Sequence, residues 1–403
     1  MKKNSVLIFL ILGALITISP FSIDMYLPAF EQIAADLHTT AERVSFSLSS
    51  YFIGLALGQI LYGPLLDRYG RKRPLYFGLG LYILSSIACL FSSSIEALIV
   101  FRFFQALGGC SAGVASMAMV RDFYPVQQNA RVFSNLMLLL SVSPLFAPTV
   151  GSFISTTFGW HGVFISLAAI VVLILCVVIF LLPEGHEPDP SVLLDPKSIF
   201  YNLRSIFRDQ QFFFYAVAGG FSFAGLFGYI GGSAPLFMGT FHLSAKAFGA
   251  VFAFLSVGMI GGGQVNNFLL RRHSSERIFK VALSWQLAVS LFFLMASFTN
   301  WFGLYAHIAA LFIFLSCAGL TYPNAAALCL APFERNAGSA ASLLGFLQMS
   351  IGAIASACFG LISMGPSRSI GILFISTSII GFLVMKLKPN STTVISEKNN
   401  SFI

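Results

Sequence analysis

The stretch GPLLDRYGRKRP, residues 63–74, follows a long apolar run and places four cations and one acid before the next run. A shift of 200 residues leads to GQVNNFLLRRHS (263–274), which also follows an apolar run and carries a pair of cations at the matching positions. In this alignment Asp67 falls on Asn267. The repeat indicates two related halves, each with a charged loop after its second apolar run.

The composition is that of a membrane protein. Of the 403 residues, 57% are hydrophobic and only 9% are charged, whereas a soluble domain has about 25% charged residues. The mean hydropathy is +0.85. The net charge of +8 is compatible with nucleic-acid binding. However, the Lys and Arg residues lie between apolar runs, so membrane topology explains them better and we expect no nucleic-acid partner.

Twelve apolar runs are long enough to cross a bilayer, which takes about 20 helical residues. They predict an all-α membrane protein with twelve transmembrane helices in two pseudo-symmetric six-helix bundles, the design of a secondary transporter. The runs are 6–30, 43–66, 74–94, 96–120, 130–157, 161–183, 210–238, 244–270, 277–298, 301–325, 336–363 and 367–387.

The predicted domains follow from these runs. Residues 1–183 form the first bundle and 210–389 the second, with a cytoplasmic linker at 184–209 and a cytoplasmic tail at 390–403. The linker contains the longest polar stretch and is rich in proline and acidic residues. Residues 1–19 resemble a signal peptide, but the apolar run is too long and no cleavage site is evident, so we expect a retained first span.

The distribution of Lys and Arg predicts the orientation of the spans. With both termini in the cytoplasm, 19 of the 23 Lys and Arg residues fall in cytoplasmic segments, and only Arg43, Lys246 and Arg368 fall in outer loops. The remaining cation, Arg102, lies inside a span. The bias therefore favours twelve spans with both ends inside.

The sequence contains no pattern that indicates an enzyme or a metal site. All six cysteines lie among apolar residues, and there is no CxxC pair or Cys/His cluster. We therefore expect no disulfide and no bound metal. No nucleotide-binding loop and no catalytic constellation are present, so a primary pump would need a partner to supply the ATPase.

Two buried charges stand out in the first half. Asp24 lies near the end of the first apolar run, between Pro20 and Pro28, and Arg102 lies inside the fourth. An arginine at mid-membrane costs at least about 2.5 kcal/mol, and a carboxylate is comparably costly. We expect each charge to lower the cost of burying the other, with Asp24 positioned to exchange a proton. A structural ion pair that never titrates is the alternative.

The loop at 63–74 resembles the signature loop of the major facilitator superfamily, which reads G-x-L-x-D-R-x-G-R-[KR]. The matching residues are Gly63, Leu65, Asp67, Arg68, Gly70, Arg71 and Lys72. The stretch FRFFQALGGCSAG (101–113) resembles the R-x-x-Q-G motif of drug:proton antiporters, through Arg102 and Gln105.

Three further segments, at 23–30, 147–152 and 324–345, are similar to the bicyclomycin/chloramphenicol-resistance (Bcr/CflA) branch. The antiporter motif G-P-x-x-G-G is altered here: Pro148 and Gly151 are present, but alanine and serine occupy its ends. The resemblance implies a monomeric, proton-coupled exporter of drugs in the bacterial inner membrane. Its partners would be a small-molecule substrate, protons and the lipid bilayer, and the proton gradient would replace any cofactor.

The resemblance also implies a conformational latch around the signature loop. Asp67 would face the start of span eleven, and Arg71 would link Asp67 to Asp122 at the end of span four. The full predicted set is Gly63, Asp67, Arg68, Gly70, Arg71 and Asp122, and it would hold the two halves in an outward-facing state. For Arg68, a role as a simple positive-inside anchor is the alternative.

The resemblance places the substrate between spans one, four, seven and ten. The expected contact residues are Tyr26, Gln105, Phe221, Tyr229 and Asn324. An apolar aromatic cavity with one acid suits neutral or cationic amphipathic compounds. Transport of one specific metabolite, such as a siderophore, an amino acid or another nutrient, stays open in either direction because the fold does not determine function.

Overall fold

The structure, a computed structural model, describes residues 3–185, 188–190, 194–299, 303–333, 337–362 and 364–389. All of its regular elements are helices, and the predicted tail at 390–403 lies outside the described residues. The α-helices are α1 (Lys3–Asp24), α2 (Phe30–Asp36), α3 (Ala41–Tyr69), α4 (Lys72–Leu90), α5 (Ile95–Phe123), α6 (Val126–Leu181), α7 (Pro196–Phe207), α8 (Gln210–Ala234), α9 (Ala245–Leu269), α10 (Ser275–Thr299), α11 (Leu304–Leu330), α12 (Ala337–Leu361) and α13 (Pro366–Lys386).

These helices form twelve spans, as predicted. Eleven helical segments of the described chain are long and apolar enough to cross a membrane. One of them includes Asn135–Leu181, far longer than the roughly 20 residues that a span needs. It divides at Gly159, whose φ of 74° interrupts the helix, so α6 supplies both span five and span six.

The first span of each half breaks at a proline. Between α1 and α2 the chain makes a 3-10 turn at Leu27–Ala29, which contains Pro28. After α8, residues Pro235–Thr240 form a π-helical turn. Proline lacks the N–H that would continue the α-helix, so the break is expected at these positions.

The two halves repeat in their buried polar contacts. In the first half the backbone carbonyl of Ser22 accepts a hydrogen bond from Arg102, at 3.1 Å. In the second half the carbonyl of Ser222 accepts one from Gln286, at 2.9 Å. Ser22 and Ser222 are related by the same shift of 200 residues as the two charged loops. The repeat inferred from sequence therefore extends into the packing.

The described part of the linker contains regular structure that its polar composition does not predict. It contains the helix α7, and its first residues lie against the signature loop. The Glu184 carboxylate accepts hydrogen bonds from the backbone N–H groups of Arg71 and Lys72, at 2.7 and 3.0 Å. The Lys72 ammonium in turn donates to the Leu182 carbonyl, at 2.8 Å.

Candidate transport site

A cavity of about 1570 Å³ lies between the two halves. It extends from Asp24 at the end of α1 to the end of the molecule that carries the signature loop, which we call the loop end. Helices of both halves line it, including α1, α3 and α5 from the first and α8, α9, α11 and α12 from the second. The volume exceeds the roughly 300–1,000 Å³ of ordinary ligand pockets, so it can hold a drug-sized compound.

At the opposite end, which we call the far end, the first spans of the two halves meet. The helix α2 contacts the π-helical turn at Pro235–Thr240, and the 3-10 turn contacts α8 and α9. A Cβ atom at Gly239 would lie 3.4 Å from the Glu31 carboxylate. The cavity is thus open toward the loop end and closed at the far end.

Asp24 forms part of the cavity wall. The residue is only 4% exposed, and it is the last residue of α1, just before the break. Neither an ion pair nor a hydrogen bond to its carboxylate is found among the described residues. A buried carboxylate without a cation partner is costly when ionised, so its charge is sensitive to protons and to a bound ligand.

Arg102 does not pair with Asp24, which corrects the expectation from sequence. Its guanidinium is fully buried and donates to the Gln105 side chain at 2.6 Å and to the Ser22 carbonyl at 3.1 Å. The rings of Tyr26 and Tyr51 lie on it, with centroids 4.5 and 4.2 Å from the guanidinium carbon. Aromatic faces and hydrogen bonds therefore replace a carboxylate as the stabilising environment.

This environment gives Arg102 a definite structural role. Ser22 is in the last turn of α1, where backbone carbonyls lack partners within the helix. Arg102 satisfies one of these carbonyls and places a cation at the negative end of the helix dipole. Arg102 thereby stabilises the end of α1 at the break in span one. The carbonyl that it binds lies two residues before Asp24.

Of the five residues predicted to contact substrate, only Tyr229 lines the cavity. Tyr26 lies against Arg102 and hydrogen-bonds the Ser47 hydroxyl at 2.8 Å. The Gln105 amide is held between Arg102 and Ser86. Neither side chain lines the cavity in this structure, because polar partners on neighbouring helices occupy both of them.

The other two predicted contacts, Phe221 and Asn324, do not line the cavity in this structure either. Phe223 and Phe227 line the cavity instead of Phe221. Residues two apart on a helix are rotated by about 200° from each other, so Phe221 lies on a different face of α8 from Phe223. The Asn324 amide donates to Asn266 at 2.6 Å and is buried within the second half.

Sequence reasoning missed Phe252 and Gln348, which line the cavity together with the predicted Tyr229. The hydroxyl of Tyr229 and the amide nitrogen of Gln348 are buried without a hydrogen-bond partner among the described residues. Phe252 stacks on Tyr229 with a centroid distance of 5.7 Å. A signal existed for Gln348, since it is the one glutamine in the apolar run at 336–363.

The signature loop contains the predicted ion triad. Arg71 binds Asp67 at 2.6 Å and Asp122 at 2.8 Å. Burial opposes the charge of Arg71, but its hydrogen bonds to Asp122 and Asp67 outweigh this and raise the Arg71 pKa above its ordinary value. Gly70, with φ of 81°, ends α3 in a conformation that favours glycine and turns the chain toward Arg71.

The contact between this triad and the second half differs from the expectation. Gly63 lies against α12, where a Cβ atom would be 3.6 Å from the Ser342 hydroxyl. Asp67 is half exposed and, in the described chain, accepts side-chain hydrogen bonds only from Arg71. Arg68 also has a partner. The triad is therefore complete within the first half while the cavity is open at the loop end.

The altered antiporter motif lies beside Asp24. A Cβ atom at Gly151 would collide with the Met25 carbonyl, so α6 approaches the break in span one at a distance that only glycine permits. Pro148 is in the preceding turn of α6. The motif thus determines how closely span five packs against the segment that presents Asp24.

The site suits the binding and transport of a compound rather than catalysis of a covalent reaction. Away from the signature loop it joins the Asp24 carboxylate to an aromatic wall and a few amides. No group of His, Cys, Asp and Glu able to hold a metal occurs in the described residues. Cationic or neutral compounds with apolar surfaces are complementary to such a lining.

The chain resembles known transporters over nearly its whole length. It matches the Major Facilitator Superfamily over residues 12–357. It is 29% identical to a bicyclomycin resistance protein homolog of Haemophilus influenzae, covering 88% of each chain, and 24% identical to multidrug resistance protein D of Escherichia coli, covering 95% of each. The solved D-xylose-proton symporter shares the fold, with a TM-score of 0.75, 14% identity, and coverage of 94% of this chain and 98% of that one. With two six-helix halves around a central cavity, the chain belongs to the major facilitator superfamily of membrane transporters.

Proposed function

We propose that this transporter exports drugs or similar small amphipathic compounds in exchange for protons, by alternating access, with Asp24 as the proton-coupling carboxylate. The observation that carries the proposal is the position of Asp24, buried in the cavity wall without a cation partner among the described residues. The relatives named for bicyclomycin and multidrug resistance support a drug as substrate.

The proposed cycle follows from the charge of this carboxylate. With the cavity open to the outside, a proton neutralises Asp24 and removes the cost of a buried charge. With the cavity open to the cytoplasm, the proton leaves and the ionised carboxylate attracts a cationic or hydrogen-bonding substrate. Each proton supplies about 1.4 kcal/mol per pH unit and about 2.3 kcal/mol per 100 mV, which is enough to drive uphill export.

We further propose that the chain resides in the bacterial inner membrane as a monomer, with both termini and the loop end in the cytoplasm. The excess of Lys and Arg in the segments assigned to the cytoplasm supports this orientation. The cavity is formed within one chain, which supports a monomer as the transporting unit.

The test is proton release on addition of bicyclomycin or a panel of cationic dyes to purified protein in weakly buffered detergent solution. The wild-type protein should release protons, and Asp24→Asn should release none while it still binds the compound. Asp24→Glu should keep part of the response because it retains a carboxylate.

A matched control is Glu96→Gln, which neutralises an exposed acid in the first turn of α5 that pairs with Arg43 at 3.3 Å. It should release protons as the wild-type protein does. Proton release by Asp24→Asn on substrate binding would show that Asp24 is not the coupling site.

A further inference from the structure

The helix α7 has two chemically distinct faces. It begins after Asp195, whose carboxylate accepts hydrogen bonds from the backbone N–H groups of Lys197 and Ser198, at 3.4 and 3.1 Å. This N-cap supports a helix of 12 residues outside the membrane spans. Because the segment is helical, its two sets of side chains point to opposite sides of one axis.

One face of α7 lies against the protein. Its residues follow helical spacing of three and four: Ile199, Asn202, Leu203 and Ile206. Ile206 is buried, and Asn202 donates a hydrogen bond to the Ser339 hydroxyl at the start of α12, at 3.1 Å. Ile199 and Leu203 line the cavity at the loop end.

The opposite face is basic and aromatic. Its exposed cations and aromatic residues are Lys197, Phe200, Tyr201, Arg204 and Arg208. The two aromatic side chains are unusually open for their size, at 61% and 65% exposed. No acidic residue lies between 196 and 208.

The connection to the next span places α7 at the membrane surface. Only Arg208 and Asp209 separate it from α8, which enters the bilayer. The ring of Phe207 packs edge-on against the ring of Phe213 in α8, at a centroid distance of 5.2 Å. A helix attached so closely to the start of a span lies at the level of the lipid headgroups.

We propose that the outer face of α7 binds the anionic phospholipid surface of the leaflet at the loop end. The three cations complement the headgroup charge, and Phe200 and Tyr201 enter the boundary between headgroups and acyl chains. Because the other face of α7 forms part of the cavity mouth, this docking ties one wall of the mouth to the membrane. The proposal does not depend on proton coupling.

The experiment measures amide hydrogen exchange of residues 196–208 in the full chain reconstituted into nanodiscs. One set of discs contains phosphatidylcholine alone, and the other also contains phosphatidylglycerol. Three cations at an anionic surface shift the docking equilibrium by on the order of 100-fold. We expect exchange to slow by at least several-fold in the anionic discs, and this protection to disappear at about 1 M salt, where the Debye length is about 3 Å.

Two triple variants make the test specific. Lys197→Gln, Arg204→Gln and Arg208→Gln together should abolish the protection given by phosphatidylglycerol. Arg271→Gln, Arg272→Gln and Arg277→Gln together remove three exposed cations on the same side, outside α7, and should leave it intact. Equal exchange in the two kinds of disc, or protection that survives the α7 variant, would overturn the proposal.

Discussion

Arg102 performs its function through geometry as well as charge. Its planar guanidinium reaches Gln105 and the Ser22 carbonyl at once while lying between two tyrosine rings. A lysine has one ammonium and no planar surface, so it cannot make these contacts together. We expect Arg102→Lys to insert normally into the membrane. Its free energy of unfolding should fall by about 1–3 kcal/mol, the cost of leaving a buried acceptor unpaired. Thermal unfolding in detergent measures the loss.

The same variant tests whether Arg102 acts on transport through the position of Asp24. If it does, transport by Arg102→Lys should fall more than binding of the compound. If Arg102→Lys is clearly destabilised but still transports at the wild-type rate, Arg102 contributes to folding and not to transport.

Gly151 is constrained by a backbone atom that cannot move aside easily. An added methyl group would collide with the Met25 carbonyl in the break of span one. Gly151→Ala should therefore displace the segment next to Asp24 and lower transport at least about tenfold, if the displacement costs 1.4 kcal/mol or more in the transport cycle. Gly80→Ala is the matched control, because nothing lies within 4 Å of the added Cβ. Equal transport by both variants would contradict this account.

The sequence located the buried charges of the first half but not their partners. Asp24 and Arg102 stand out because a charge in an apolar run is costly, and that signal is local. Three partners of Arg102 come from two other segments of the chain: Ser22 and Tyr26 from the first span, and Tyr51 from α3. Their convergence depends on how the helices rotate against one another, which apolar patterning leaves open. The nearest opposite charge was therefore a reasonable but wrong choice.

At the signature loop, the two acids of the triad differ in burial, so their substitutions should differ in effect on stability. The Asp67 side chain is 54% exposed, while that of Asp122 is 11% exposed. An exposed ion pair contributes about 0–1 kcal/mol. Asp67→Asn should thus change the free energy of unfolding little and slow transport if the triad operates during cycling. Asp122→Asn should be the more destabilising change, because it leaves the buried Arg71 with one exposed partner.

The degenerate copy of the loop supplies the control. Asn267→Asp restores the acid at the matching position of the second half, and it should alter transport far less than Asp67→Asn. Initial rates in proteoliposomes, normalised to inserted protein, compare the three variants. Transport by Asp67→Asn at the wild-type rate would show that Asp67 has no role in the transport cycle.

The face that α8 presents to the cavity determines which aromatic residues select substrates. Phe227 and Tyr229 line the cavity, whereas Phe221 does not. Phe227→Ala and Tyr229→Phe should therefore change the relative transport of a compound panel, and Phe221→Ala should not. The apolar run predicted α8 as a span, but its uniform hydrophobicity gave no preferred face, so lining residues could not be chosen from sequence. Unchanged selectivity in both cavity variants would place the substrate elsewhere.

The overall arrangement, open at the loop end and closed at the far end, makes alternating access directly testable. The far end is closed by contacts between the halves, with Gly239 of the second half next to Glu31 of the first. If export requires this end to open, a covalent link across it should stop transport. We expect a short bis-maleimide to block transport in a Glu31→Cys, Gly239→Cys variant from which the exposed Cys176 and the half-buried Cys358 have been removed.

Two measurements distinguish a trapped conformation from damage to the protein. The single-cysteine variants treated with the same reagent should transport as before, because each lacks a second thiol to link. The linked protein should still bind the compound in detergent, since the cavity remains open at the loop end. Undiminished transport by fully linked protein would mean that substrate leaves without separation of α2 from the π-helical turn. The proposal of export through the far end by alternating access would then be wrong.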